Sequence, residues 1–420
     1  MSLIINLLPL ILILVVLFFR KHMLFAGLLG GILAIIIGGL AIGDASHIVM
    51  EGISTMFSYT SPILYAAAAV MVAKGGSFKA IAGIAQNKLK NKISLFAGFL
   101  VLVQAAATYM AGMGAGNTMV IAPLVAVSVG AVPEVIAGMA IATAACFTTS
   151  PASTETVLAA ENAARDVAEH ASAMLPFTLI FVLIGAALAV YGVRKRGVMI
   201  ETSEAGRELN VAETENNDKL WVQTIPAIVL LVLVVFGGKI NSLIGVSIFM
   251  PLTNVLIAAI LTAWLSPLNI NETCEALGEG SRFILTTLFS VGIFLGFINV
   301  IAALGTFEQL AALIGNAPNA IVVPCAIIIA FLIAIPSGAF CAGVLTLILP
   351  TMALLGLPSE AMGLVAMAAG FGTQVSPVQI NVAALSDGFK VDIMQIVKGN
   401  AKFLVSAMVL LIICSFFVVR

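Results

Sequence analysis

The residues with the most chemistry to offer stand together in one polar interruption of an apolar run. Phe147 is followed by Thr148, Thr149, Ser150, Pro151, Ala152, Ser153, Thr154 and Glu155, and the apolar pattern resumes at Val157. Hydroxyls and freed carbonyls at such a break suit a small anion or an alkali cation. Glu155 is the one acidic residue hard against it; it either carries a proton or completes a cation site, or it merely faces an aqueous vestibule. Proline inside a helix removes a donor and clashes with the preceding turn, at a cost of about 3 kcal/mol. In hydrocarbon the freed carbonyls find no water, so the break survives only where protein buries it or it lines a polar cavity.

A second interruption answers the first: Gly372-Thr-Gln-Val-Ser-Pro-Val-Gln-Ile-Asn381, in which Ser376-Pro377 falls on Ser150-Pro151 and Glu360 falls on Glu134. Paired broken helices at corresponding places in two halves point to the binding site of a secondary transporter. Two proline kinks serving helix packing alone are the competing reading. The partner of Glu155 is the neutral Asn381. Glu134, Glu360 and Asp387 sit at span ends and read as interfacial caps.

The elements that must position these residues follow from composition. With 420 residues, 61% hydrophobic and 9% charged, the chain reads as an all-α polytopic membrane protein. A net charge of −1 offers no basis for a nucleic-acid partner. The five cysteines have no pairable spacing and the three histidines form no cluster, so neither disulfides nor a metal site is expected. Residues 3–19 lack a basic flank and a cleavage site and read as a retained span. Apolar windows place further spans at 24–43, 59–74, 133–160, 172–192, 220–237, 245–265, 283–304, 358–385 and 402–419.

Two apolar regions carry a small-residue centre instead of a single span. These are 94–130, around Ala111-Gly-Met-Gly-Ala-Gly-Asn-Thr118, and 319–356, around Pro336-Ser-Gly-Ala-Phe-Cys-Ala-Gly343. Uncharged, glycine-containing centres predict re-entrant hairpins, against two short spans joined by an exposed loop. The organisation is then 1–193 as a first repeat (hairpin 94–130, broken helix 133–160), 194–219 as a polar cytoplasmic linker, and 220–420 as a second repeat (hairpin 319–356, broken helix 358–385). Five spans plus a non-crossing hairpin make an odd number of crossings, so the second repeat must be inverted. Basic residues agree: if Arg20 and Lys21 are cytoplasmic, all but Arg165, Lys239 and Arg420 of the 19 Lys and Arg fall on that side. Both termini then lie outside the cytoplasm, in a multi-pass protein of the cytoplasmic (inner) membrane. Residues 77–91 and 307–315 read as interfacial amphipathic helices.

No Lys, Arg or His falls in the middle of a span, so a substrate anion must be held by helix N-termini, backbone N–H groups and neutral side chains. The candidates are Gly114, Gly116, Asn117 and Thr118 at the first tip, and Thr149, Ser150, Ser153 and Thr154 at the first break. The second half contributes Ser337, Gly338, Thr373, Gln374, Ser376, Gln379 and Asn381. Asn117, Thr148, Glu155 and Thr373 are candidates for a coupling ion, Na⁺ or H⁺, and no other cofactor is expected. No nucleophile–base set or phosphate loop supports an enzyme.

With Gly116-Asn-Thr118 at a hairpin tip and Gly372-Thr-Gln-Val-Ser-Pro377 at a break, the chain resembles the ion transporter superfamily. Its members include divalent anion:sodium symporters, citrate carriers, C4-dicarboxylate carriers and certain Na⁺/H⁺ antiporters. The first triplet looks like the Ser-Asn-Thr signature of the dicarboxylate symporters; the second tip, Ser337-Gly-Ala-Phe340, departs from it. The resemblance implies a homodimer in which a transport part moves against a scaffold as an elevator. The sequence thus leads to a carrier of a small organic carboxylate, of the di- or tricarboxylate class, coupled to Na⁺ or H⁺. The alternative is a Na⁺/H⁺ antiporter of the same fold; a channel is the reading from another class.

Overall fold

The computed structural model describes residues 3–19, 21–89, 92–197, 217–315, 317–338 and 340–418. Residues 198–216 of the expected linker, and the orientation markers Arg20, Lys90, Arg207 and Arg420, lie outside the described residues. All elements among the described residues are α-helices. The first half has α1 (Leu3–Phe18), α2 (Met23–Gly38), α3 (Ile42–Ser58), α4 (Thr60–Lys74), α5 (Ser77–Leu89), α6 (Ile93–Ala111), α7 (Ala115–Val129), α8 (Pro133–Phe147), α9 (Thr154–Asn162) and α10 (Val167–Arg196). The second has α11 (Asn217–Ile244), α12 (Pro251–Leu265), α13 (Ile270–Ala302), α14 (Thr306–Ile314), α15 (Asn319–Ser337), α16 (Cys341–Leu354), α17 (Ser359–Thr373), α18 (Ile380–Phe389) and α19 (Ile393–Val418).

Six of these, α6, α10, α11, α13, α15 and α19, are long and apolar enough to cross a bilayer, and the pair α3–α4, bent by 46°, makes a seventh. The chain is a multi-pass membrane protein. Three expectations are corrected in extent. The span expected at 59–74 is α4, preceded across the bend at Tyr59 by α3, whose Asp44, His47 and Glu51 had kept it out of the apolar window. The span expected at 283–304 begins at Ile270, where Asn269 and Glu272 form a capping box. The one expected at 402–419 begins at Ile393.

Both expected breaks and both hairpin turns are present, and local chemistry explains each stop. α8 ends where Thr148 and Thr149 hydroxyls donate back to the carbonyls of Ala144 and Ala145, at 2.8 and 2.7 Å. Pro151 follows, and α9 restarts under Ser153, whose hydroxyl accepts the N–H of Thr156 at 3.1 Å. α17 ends at Thr373, with its hydroxyl on Gly370 O at 2.6 Å, and α18 restarts beyond Pro377 under Gln379. α6 ends at Gly112, φ +66°, and α15 at Gly338, φ +54°.

Small residues set the tight crossings, as they do where helices meet in lipid. A Cβ on Gly52 of α3 would stand 2.4 Å from the backbone of Gly296 of α13, and Gly138 of α8 meets Gly185 of α10 in the same way. α3 and α4 run along α13, α8 packs on α10, and α15 packs on α17. The outer hairpin arms reach across the chain. α7 packs on α18 and α16 packs on α9, so each half's hairpin covers the second piece of the other half's broken helix.

Two arginines fix directions. Glu134, at the start of α8, takes a bidentate pair from Arg196 at the end of α10, at 2.7 and 2.8 Å. Glu360, at the start of α17, takes Arg165, just before the start of α10, at 2.9 Å. Helix α10 is 30 residues long, about 45 Å at 1.5 Å per residue. α8 and α17 therefore begin at opposite ends of it.

Candidate functional site

Each hairpin tip is seated on the break of its own half. A Cβ at Gly112 would lie 1.9 Å from the Ala152 carbonyl oxygen. At Gly338 it would lie 2.2 Å from Val378 Cγ2 and 2.9 Å from Ser376 Oγ. Only a residue without a side chain, free to take a left-handed φ, brings tip and break this close.

Between the two tip-and-break units lies a cavity of about 80 Å³. The N-termini of four helices meet it: α7 through Gly112–Gly114, α9 through Thr154 and Glu155, α16 through Cys341 and Ala342, and α18 through Gln379–Asn381. Each brings the positive end of a helix dipole, although the N–H of Thr156 is already taken by Ser153, that of Ile380 by Gln379 and that of Ala342 by Glu155. Phe147, Met113 and, from α13, Ile284 and Thr287 complete the wall. No Lys, Arg or His lines it among the described residues, and Glu155 is its one ionisable carboxyl group. The Glu155 carboxylate faces the backbone N–H of Ala342 at the head of α16.

The candidates divide into three groups. Gly114, Thr154, Glu155, Gln379 and Asn381 line the cavity. Asn117, Thr118, Thr373 and Gln374 stand behind it. Asn381 donates to Gln374 Oε1 at 2.6 Å and accepts from the Thr118 hydroxyl at 2.5 Å, joining the second break to the first hairpin. Asn117 donates to the Ala107 carbonyl at 2.9 Å and holds the two arms of that hairpin together. Thr373 is bonded back into α17. Gly116 lies in the first turn of α7.

The third group is not brought to this cavity. Thr148 is bonded into α8, and Thr149 bonds both the Ala145 carbonyl and the Thr178 hydroxyl of α10, the latter at 2.7 Å. Ser150 donates to the Tyr109 carbonyl and accepts the Ala152 N–H. Ser153 serves as a helix cap. Ser337, Gly338 and Ser376 belong to the other face of the second tip. There Ser337 and Ser376 line a separate cavity of about 780 Å³ together with Lys21 and His22. The hydroxyls at a break first satisfy the carbonyls and N–H groups that the break itself exposes, which leaves few for a ligand.

Sequence reasoning missed Gln104, Thr108 and Thr143. Gln104, fully buried in α6, donates to Thr118 Oγ1 at 2.6 Å, and the hydroxyls of Thr108 and Thr143, each 3.3 Å from the same amide nitrogen, share its second N–H. A lone amide in the middle of an apolar hairpin arm was the available signal. The α13 residues carried none, being ordinary members of an apolar helix. Neither a protein-family model nor a curated protein matches this chain.

Proposed function

We propose that the chain is a secondary active carrier of a small organic carboxylate, coupled to Na⁺ or H⁺ and working by alternating access. The observation that carries this reading is the cavity on which four helix N-termini converge, two from each half of the chain. A carboxylate there is held by backbone dipoles with no basic side chain to trap it, which suits a site that must release its ligand.

The two halves are inverted copies of one unit. Three facts support this: α8 and α17 begin at opposite ends of α10, the element order of α1–α10 recurs in α11–α19 with the single α13 in the place of the bent pair α3–α4, and the hairpins exchange partners reciprocally. Two larger cavities fit the same symmetry. One, of about 900 Å³, reaches Tyr109 and Pro151 of the first unit from the Arg165 end of α10. The other, of about 780 Å³, reaches Ser337 and Pro377 of the second from the Lys21 side. They are the two vestibules, and the tip-and-break units between them move against α2–α5 and α11–α14 as an elevator, in a homodimer, with both termini outside the cytoplasm of an inner-membrane protein.

The purified chain, reconstituted in liposomes preloaded with one unlabelled carboxylate, is expected to give saturable counterflow of the labelled compound, enhanced by a Na⁺ or proton gradient. Linear, non-saturable flux would instead identify a channel. The position of Glu155 in the cavity favours one other reading, Na⁺/H⁺ exchange at that carboxylate. Sodium-driven pH change without any carboxylate, lost in Glu155→Gln, is its signature.

A further inference from the structure

The cavity combines two opposite demands. Four helix N-termini offer positive potential, yet the one carboxyl group in the wall has no basic side chain beside it among the described residues. Within a membrane-embedded fold an ionised carboxylate is costly without a counterion. The N–H of Ala342 supplies a dipole and not a charge. A second carboxylate on the ligand would meet Glu155 as a like charge across a very short distance, which is repulsive in any low-dielectric site.

The polar groups are also divided. Asn381, Gln379 and the heads of α7 and α18 form one side, where a carboxylate finds amide and backbone donors. Glu155 stands in the same cavity as Phe147, an aromatic residue of a kind that can border an ammonium group. Asn381 is pinned by Thr118 and Gln374, so the carboxylate side is rigid and its spacing from Glu155 is fixed by the fold.

We infer that the carried molecule is a small zwitterionic amino-carboxylate, its carboxylate on the α7 and α18 heads beside Asn381 and its ammonium group paired with Glu155. This rests on the carrier reading above and narrows its substrate from carboxylates in general to those bearing one cationic nitrogen. It sets aside the di- and tricarboxylates that the sequence resemblance implies. The repeat partner of Glu155 being neutral is then a requirement, since a second carboxylate at Asn381 would repel the ligand's own.

The test uses the full chain in liposomes and four labelled probes of similar size: glycine, L-alanine, acetate and malonate. Saturable uptake of glycine or L-alanine is expected, with acetate and malonate at least tenfold poorer as substrates or competitors. Glu155→Gln is expected to lower amino-acid uptake at least tenfold while leaving malonate binding undiminished; a circular-dichroism spectrum and elution profile matching wild type exclude misfolding. The probe ranking on wild-type protein stands without any variant. If malonate or acetate is carried in preference to both amino acids, the zwitterion is wrong and the carboxylate carrier stands. If no probe shows saturable uptake while Na⁺ drives proton movement, both readings fall.

Discussion

The two breaks occupy equivalent places in the chain and use their polar residues differently. At the first, Thr148, Thr149, Ser150 and Ser153 are all engaged with neighbouring backbone or with α10, and Thr154 and the carboxylate of Glu155 are left to line the cavity. At the second, the long amides Gln374, Gln379 and Asn381 replace short hydroxyls, and Asn381 reaches across to Thr118 of the first hairpin. Short side chains cap the helix that bears them; long ones can bridge to another element. The first break thus brings a carboxylate to the cavity and the second a neutral, cross-bonded amide. In the carrier proposed above, that difference is what would let a single asymmetric molecule fit between them.

The hairpin tips give the largest expected effect. Gly112→Ala places a methyl group against the Ala152 carbonyl, which is backbone and cannot yield, at a left-handed φ. Gly338→Ala meets the ends of Val378 and Ser376, which can rotate away. The first substitution is expected to cost at least ~3 kcal/mol and the second about 1–2 kcal/mol, by thermal unfolding in detergent. Equal losses would mean that the two tips are seated alike.

Next comes the bridge. Asn381→Ala leaves Thr118 and Gln374 without their partner in a buried network, an expected loss of about 1–3 kcal/mol. Gln104→Ala removes the other amide of that network and should cost about 1–2 kcal/mol. Measured together, the two are expected to be non-additive by about 0.5 kcal/mol or more, because both act on Thr118. Strict additivity would show that the first hairpin and the second break are held independently.

Much of this architecture is legible before any coordinates. Pro151 and Pro377, the polar residues around them and the uncharged tips mark breaks and hairpins because hydrocarbon penalises each unpaired backbone group. The two glutamates that correspond in sequence, Glu134 and Glu360, each pair with an arginine at one end of α10. What does not follow from sequence is who covers whom. The apolar faces of α9 and α18 say that each is buried, yet either hairpin offers an equally apolar arm, so the exchange of partners is decided by global packing. The fate of a hydroxyl is equally hidden. Ser150 reads as a ligand by composition, and only the approach of Tyr109 shows its proton already given to a carbonyl.

That difference between the two serines yields the smallest and sharpest effect. Ser150→Ala removes a buried bond to Tyr109 and strands the N–H of Ala152, which joins the first break to its tip. Ser376 makes a single longer contact, accepting the Val378 N–H at 3.4 Å. The expected stability losses are about 1 kcal/mol for Ser150→Ala and about half of that for Ser376→Ala. Their functional order is the reverse. Ser150 is occupied in holding the backbone, so once Ser150→Ala is folded its substrate KM should stay within about twofold of wild type. Ser376 borders the cavity beside Lys21 and His22 and not the one at Glu155, so in the proposed carrier it would lie on the way to the site. Its loss should therefore change the rate of counterflow more than the KM. A raised KM in Ser376→Ala, with rate unchanged, would move the binding site from the cavity at Glu155 to the second vestibule.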